Sequence, residues 1–423
     1  MEIRPLKDLD ALVTVPGSKS YTQRALVIAS LAHGESLLEG ALPCEDSFYL
    51  IRALESLGAR IVVDGGDIIV GGSGGRISTP SEPIFLGDNG TGMRFLTGVV
   101  CLGDGWYELT GSPRLCQRPM GPLLRALRGL GVDARSKHGD GCPPVVIRAK
   151  GLPGGEAILE ELQSSQFLSS LLISAPLAEK DTRIRLVGRI PSMPYAEMTI
   201  RVMEDFGVTV TRSGPDGYQI RGGQHYEGRK YRVEGDLSSA SYFFAAAALC
   251  RGRIRVRNVD PGSAQGDLGF LSILERMGCH VNRGEDWIEV ARAGPLGTRD
   301  MVLDLGDMPD VVPTLCVIAA VRQGRTVIKG VGHLRVKESN RLAALVTELR
   351  KTGVRAEETE DGLVVWGGHP HGAQIETYND HRMAMSFAIL GLAVPGMRIM
   401  GAGCVAKSFP NFWREMGRLS TTP

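Results

Sequence analysis

LESLGARIVV at 54–63, LRGLGVDA at 127–134, MEDFGVTV at 203–210, LERMGCHV at 274–281 and LRKTGVRA at 349–356 are five spellings of one pattern. In each, a short helix-like run stops at a glycine and restarts as a strand, and a weaker sixth copy, REMGRL, lies at 414–419. The glycines, Gly58, Gly131, Gly207, Gly278, Gly353 and Gly417, are 73, 76, 71, 75 and 64 residues apart, long enough for a whole supersecondary unit to repeat. Glycine suits the place because the residue just past a helix end often turns left-handed, which costs a Cβ. After five of the six comes a polar turn and a second strand, as in VDGGDIIV, HGDGCPPVVI, SGPDGYQI, RGEDWIEV and TEDGLVV, so each unit ends in a hairpin.

A second landmark keeps step with the first. Polar or glycine-containing clusters around Lys19, Gly90, Ser164, Ser238, Asp310 and Asp380 each open an apolar stretch: ALVIASLA, MRFLTGVVCL, FLSSLLISA, YFFAAAALC, TLCVIAAV and MAMSFAIL. A surface helix keeps a charged face; these have almost none, so they read as buried helices. Each unit therefore holds one buried helix, one amphipathic helix and strands. A helix N-terminus offers unpaired N–H groups and partial positive charge, and six such ends brought together make an anion-binding cleft. Any single copy alone reads better as an ordinary N-cap; the company some copies keep raises them above it.

The 423 residues imply two or three domains at about 150 residues each. With 48 Lys and Arg against 47 Asp and Glu, the chain has no whole-molecule field to gather nucleic acid or anionic membrane, so any basic site is local. The longest apolar run, Tyr242 to Cys250, is far short of the roughly 20 residues of a membrane helix. The first ten residues carry charges where a signal peptide would be apolar, and a cytoplasmic protein is expected. Eight scattered cysteines show no C-x-x-C pair and read as reduced core thiols. His369 and His371 flank a proline and make a poor metal site by themselves.

Eight motifs carry chemistry. PGSKSYTQR at 16–24 offers Gly17 for close backbone approach, Ser18 or Ser20 as cap, and Lys19 and Arg24 as cations, a cradle for phosphate or carboxylate without Walker spacing. LGDNGTGMRF at 86–95 sets two glycines around Thr91, which a tight turn explains equally well. GSPRLCQRPMG at 111–121 puts Arg118 before a proline, where pairing with a surface acid is the plain alternative. Ser164, Ser165 and Gln166 are neutral donors for phosphate oxygens, although serine is also common at caps. DMPDVVPT at 307–314 places Asp310 where a capping role is electrostatically favourable. In LRVKESNRLAAL at 334–345, Lys337 and Arg341 are four apart and are expected to share a helix face, a crowding relieved by a bound anion or by Glu338 pairing Arg341. YNDHRMAM at 378–385 brings Arg382 to a buried helix start, where a cation opposes the dipole; in CVAKSFPNFW, Lys407 precedes the last helix.

In this order PGSKS, RPMG, SSQFL, EGDLSSASYF, RVKESNR, YNDHRMAM and AKSFP closely resemble the 5-enolpyruvylshikimate 3-phosphate synthases, the enolpyruvyl transferases of the shikimate pathway, over essentially the whole chain. The resemblance implies an α/β fold of two domains, each an inside-out α/β barrel of three βαβαββ-type units. One domain would be 17–233 and the other 1–16 plus 234–423, with the substrate cleft between them. It also implies transfer of the enolpyruvyl group of phosphoenolpyruvate to the 5-hydroxyl of shikimate 3-phosphate by a monomer. Lys19, Ser20, Arg24, Ser164, Ser165, Gln166, Ser192, Asp310 and Lys337 would bind shikimate 3-phosphate. Lys19, Gly90, Arg118, Gln166, Arg341, Arg382 and Lys407 would bind phosphoenolpyruvate, and Lys19, Asp310 and Glu338 would be catalytic.

The two substrates bring about five negative charges, which seven of these cations answer. With arginines stabilising charge, the chemistry asks for no metal or organic cofactor. Three positions depart from the family pattern: Asp88 for an asparagine, Met193 for a lysine, and His333 for a frequent asparagine. Two other readings stand beside this one. The UDP-N-acetylglucosamine enolpyruvyl transferases share fold and donor and use a loop cysteine, with Cys116 in roughly the corresponding region. A non-catalytic anion-binding or RNA-associated repeat protein is disfavoured by overall neutrality and the lack of a basic, aromatic-laced stripe.

Overall fold

The computed structural model describes residues 1–6, 8–160, 164–214 and 217–419. Among the described residues twelve α-helices follow one another along the chain. The odd ones are α1 (Lys19–Leu31), α3 (Gly90–Val99), α5 (Gln166–Ser174), α7 (Leu237–Cys250), α9 (Val312–Val321) and α11 (His381–Ala393). The even ones are α2 (Glu45–Ser56), α4 (Gly121–Gly129), α6 (Met193–Asp205), α8 (Phe270–Arg276), α10 (Arg341–Lys351) and α12 (Phe412–Arg418). Odd helices begin at the polar clusters and are buried almost throughout; every residue of α7 is buried. Even helices bury one stripe, as α4 does with Leu123, Leu124 and Leu127, and turn the rest to solvent.

Contacts divide the chain into two units, Gly17–Val233 and Met1–Pro16 with Glu234–Pro423. In the continuous unit three four-stranded sheets accompany α1, α3 and α5. In the interrupted unit two four-stranded sheets and a two-stranded one, Gln374–Ile375 with Arg398–Ile399, accompany α7, α9 and α11, which pack on one another. Strand burial alternates, as along Leu9–Thr14 and Thr182–Val187, so one face of each sheet is buried and the other meets water. Helices lie inside and separate sheets outside, the α/β arrangement expected.

One repeat shows how sequence makes the unit. Strand Met301–Asp304 leads into α9, then strand Gly324–Lys329 pairs parallel to it; α10 follows, and the hairpin Arg355–Thr359 with Gly362–Gly367 closes the sheet antiparallel. In the first repeat of each unit the leading strand comes from elsewhere in the chain. Leu9–Thr14 pairs parallel with Gly252–Arg257, and Lys230–Arg232 with Leu37–Glu39.

The punctuating glycines Gly58, Gly131, Gly207, Gly278 and Gly353 have φ between +80° and +108°, the left-handed turn inferred for them. Gly417 differs: it lies within α12 and is absent from the left-handed set, so the sixth copy ends without that turn. In SGPDGYQI, residues 215 and 216 lie outside the described residues. Gly17 allows close approach, but of the Gly40 carbonyl, which leaves no room for a Cβ. All eight cysteine thiols are free, five of them buried. Among the described residues no helix is long and apolar enough to cross a membrane.

Candidate active site

In the continuous unit the expected residues gather at the starts of α1, α3 and α5. Ser18 caps α1, its hydroxyl accepting from the Tyr21 amide at 3.5 Å, which leaves Lys19 and the half-buried Ser20 on the first turn. The Lys19 ammonium lies 3.2 Å from Asp46, whose own carbonyl accepts from Asn89 Nδ2 at 2.8 Å; Asn89 in turn caps α3 through the Gly92 amide at 2.8 Å. Asp46 thus joins Lys19 to the start of α3.

Arg24 is 1% exposed. Its guanidinium donates to Thr199 Oγ1 at 2.8 Å, the Ser20 carbonyl at 2.9 Å and the Tyr195 carbonyl at 2.7 Å, and it lies over the Phe95 and Tyr195 rings. Burial among these neutral groups draws its pKa down to about 10, low for a guanidinium yet still charged at neutral pH. Thr199 also donates to Ser169, which ties α1, α5 and α6 together.

Gly90 opens α3 against two guanidiniums: a Cβ built there would sit 2.5 Å from Arg118 Nη1 and 2.5 Å from Arg94 Nη1. Arg118 therefore packs on the α3 backbone and is buried. Arg94, not singled out from sequence, donates to the Gly90 carbonyl at 2.9 Å and the Pro119 carbonyl at 3.2 Å. Gln166 donates to Thr91 Oγ1 at 3.0 Å, and Ser164 Oγ accepts from the Gln166 amide at 3.2 Å. Ser165 is buried at the cap of α5, and Ser192 caps α6 with left-handed backbone, φ 63°. At the departures, Met193 begins α6 and Asp88 accepts the Ser112 hydroxyl. Cys116 turns its thiol to the Gly111 carbonyl at 3.6 Å and Thr110 Oγ1 at 3.8 Å.

The interrupted unit holds a tighter cluster. Arg341, 1% exposed at the start of α10, contacts three carboxylates: Asp380 at 2.9 Å, Glu338 at 2.9 Å and Asp310 at 3.3 Å. Burial alone would weaken its charge, but Asp380, Glu338 and Asp310 outweigh burial and hold the guanidinium above its ordinary range. Arg382 lies 2.6 Å from the other Asp310 oxygen and 3.4 Å from the Tyr242 hydroxyl. Asp310 thus bridges two buried arginines. Asp380 caps α11 through the Arg382 amide at 3.0 Å and accepts from Ser339 at 3.0 Å.

Two expectations are corrected here. Asp310 does not cap α9: it sits in a one-turn 3₁₀ helix, Pro309–Val311, and its carboxylate is drawn to the two arginines. Lys337 and Arg341 do not share a helix face, because α10 starts at Arg341 and Lys337 follows a 3₁₀ turn, Gly332–Val336, in extended backbone. The alternative, Glu338 paired with Arg341, is what the structure contains. His333, in that 3₁₀ turn, is pushed down to about 3 by burial and by nearby Lys337, so its imidazole is neutral. Lys407 is buried at the end of a 3₁₀ helix, Ala402–Lys407.

A further buried carboxyl lies close by. Asp267 receives the Ser238 hydroxyl, and its Oδ1 has no hydrogen-bond partner among the described residues. Burial, then the charge of Asp310, lifts it well above the usual carboxylate range. Sequence reasoning missed Asp46, Arg94, Asp267 and the ligating role of Asp380. Asp380 carried a signal, since an acid directly before a buried helix that starts with arginine has an obvious partner.

The chain matches the family model described as EPSP synthase (3-phosphoshikimate 1-carboxyvinyltransferase) over residues 3–416. It is 44% identical to the 3-phosphoshikimate 1-carboxyvinyltransferase of Trichormus variabilis, covering 98% of this chain and 97% of that one. The Yersinia ruckeri protein of the same name is 41% identical, over 99% and 98%. The EPSP synthase structure from Acinetobacter baumannii superposes with a TM-score of 0.83 at 28% identity, covering 100% of this chain and 98% of that one. With the family model matched over residues 3–416 and relatives 44% and 41% identical over nearly the full length, the chain belongs to the EPSP synthase family.

Proposed function

We infer that this protein transfers the enolpyruvyl group of phosphoenolpyruvate to the 5-hydroxyl of shikimate 3-phosphate and releases phosphate. The observation that carries the reading is the Asp310, Glu338, Arg341 and Arg382 cluster, within a family match that spans residues 3–416. Lys19, Ser20, Arg24, Ser164, Ser165, Gln166, Ser192, Asp310 and Lys337 hold shikimate 3-phosphate. Lys19, Gly90, Arg118, Gln166, Arg341, Arg382 and Lys407 hold phosphoenolpyruvate.

The 5-hydroxyl oxygen bonds to C2 of phosphoenolpyruvate while C3 gains a proton, giving a tetrahedral adduct. Phosphate then leaves C2 with its electron pair and C3 returns a proton, which restores the double bond. One group can serve first as acid and then as base. Glu338 and Lys19 attend C3, and Asp310 takes the hydroxyl proton. Arg341 and Arg382 release their carboxylates to the incoming anion, so an acid and a base are freed as the donor binds.

The test is phosphate release from phosphoenolpyruvate with shikimate 3-phosphate or with UDP-N-acetylglucosamine as acceptor. Release with the first alone supports the reading. Release with the second alone, or with neither, overturns it.

A further inference from the structure

Glu348 lies on α10, two turns beyond Arg341, and is fully buried. A carboxylate there is out of place, because Leu342, Leu345 and Leu349 form the apolar stripe around it. Buried charge needs partners, and Glu348 has three. One oxygen accepts the Tyr378 hydroxyl at 2.7 Å; the other accepts the Glu376 amide at 3.1 Å and lies 2.8 Å from the Lys351 ammonium. Two of these partners belong to the segment that leads into α11.

That segment is strained. Tyr378 and Asn379 both have φ +54°, the left-handed region, which asparagine tolerates and tyrosine does not favour. The next residue is Asp380, 0% exposed, which grips Arg341, accepts from Ser339 and caps α11 at Arg382. Burial, then the hydrogen bond to Glu348, pushes the Tyr378 phenol up to about 12, so it stays a donor.

We propose that Glu348 is a positioning residue, which holds the left-handed turn at 378–379 and so sets Asp380, and through it Arg341 and Arg382, for the donor substrate. The proposal rests on the function inferred above in placing those arginines on the phosphoenolpyruvate side. Glu348 itself touches neither arginine in the structure's hydrogen bonds. It acts by fixing the backbone that presents their shared carboxylate.

Initial-rate kinetics on Glu348→Ala, Glu348→Gln, Tyr378→Phe and the Glu348→Ala/Tyr378→Phe double variant test it. Glu348→Ala is expected to lower kcat/KM for phosphoenolpyruvate about 10- to 100-fold, the size of effect a misplacement near 1 Å produces, while KM for shikimate 3-phosphate stays within about twofold. Glu348→Gln keeps one carbonyl acceptor and recovers most of the loss. The double variant is no worse than Glu348→Ala alone, because the two changes remove one shared interaction. A loss shared equally by both substrates, an additive double variant, or unchanged kinetics overturns the proposal.

Amide hydrogen exchange gives an arm that needs no activity. In Glu348→Ala, or in Tyr378→Phe if that protein is too unstable, amides of 378–384 exchange about tenfold faster or more, with the rest of α10 and α11 unchanged. Unchanged exchange there overturns the proposal. A wild-type protein that transfers no enolpyruvyl group defeats the functional reading and leaves this exchange result to decide the role of Glu348.

Discussion

Arg24 and Arg341 are both 1% exposed, one in each unit, and the fold solves the same problem for them in opposite ways. Arg24 is surrounded by neutral dipoles and two aromatic rings, so burial lowers its affinity for its proton. Arg341 is surrounded by Asp380, Glu338 and Asp310, which raise it. Among the described residues no carboxylate bonds Arg24, which suits the anion-binding role proposed for it. Arg341 carries its counter-charges with it, and an anion bound there as proposed would have to displace them. The first arrangement suits holding a charged acceptor; the second suits coupling donor binding to the release of acid and base groups.

The largest effect that would sharpen this contrast comes from Glu338→Gln. On the assignment made here turnover falls about 10²- to 10⁴-fold, the usual yield of general acid–base catalysis, while calorimetry shows shikimate 3-phosphate binding nearly unchanged. Unchanged turnover would remove Glu338 from the chemistry.

Arg24→Lys keeps the charge but cannot make three donations in one plane. Loss of one or two charge-assisted hydrogen bonds is worth about 10- to 100-fold, expected in KM for shikimate 3-phosphate with a smaller change in kcat. If KM for phosphoenolpyruvate moves instead, the division of labour between the clusters is wrong.

Gly90→Ala presses on the Arg118 and Arg94 guanidiniums together, and overpacking of this kind costs about 1–3 kcal/mol. KM for phosphoenolpyruvate should rise by about tenfold, with KM for shikimate 3-phosphate little altered.

The smallest effect concerns stability. Because burial raises Asp267, the native state keeps a proton that the unfolded chain releases above 3.8. Stability therefore falls as pH climbs from that value to about 7. Asp267→Asn lacks this titration, so its Tm should gain on wild type as pH rises from 4 to about 7 and then stay level. A difference independent of pH would mean that Asp267 is ionised throughout.

Much of the fold was legible because its signals are local. A left-handed glycine after a one-sided helix needs no tertiary knowledge, and five of six such glycines turn as read. The sixth, Gly417, shares the letters REMG but lies inside α12, where packing overrides the motif. The site residues were readable as motifs, but their partners were not. The capping alternative for Asp310 fails because sequence shows its distance along the chain from α9 and not its distance in space from Arg341 and Arg382, 31 and 72 residues away. Lys337 was placed on a helix because a single 3₁₀ turn leaves the same pattern of letters as an α-helix. Glu348 did carry a signal, an acid inside the apolar stripe of an amphipathic helix.

The exchanged leading strands have a consequence for how the molecule is made. Leu9–Thr14 leaves the ribosome first, yet its parallel partner, Gly252–Arg257, emerges 243 residues later. Everything between 17 and 233 is synthesised in that interval and can collapse as a body, its own borrowed strand arriving at 230–232 just before it is finished. The amino-terminal strand must wait uncommitted, with an open edge, until the second half of the chain comes to claim it. A nascent chain stalled before residue 252 therefore holds all of 17–233 while Leu9–Thr14 still lacks its parallel partner.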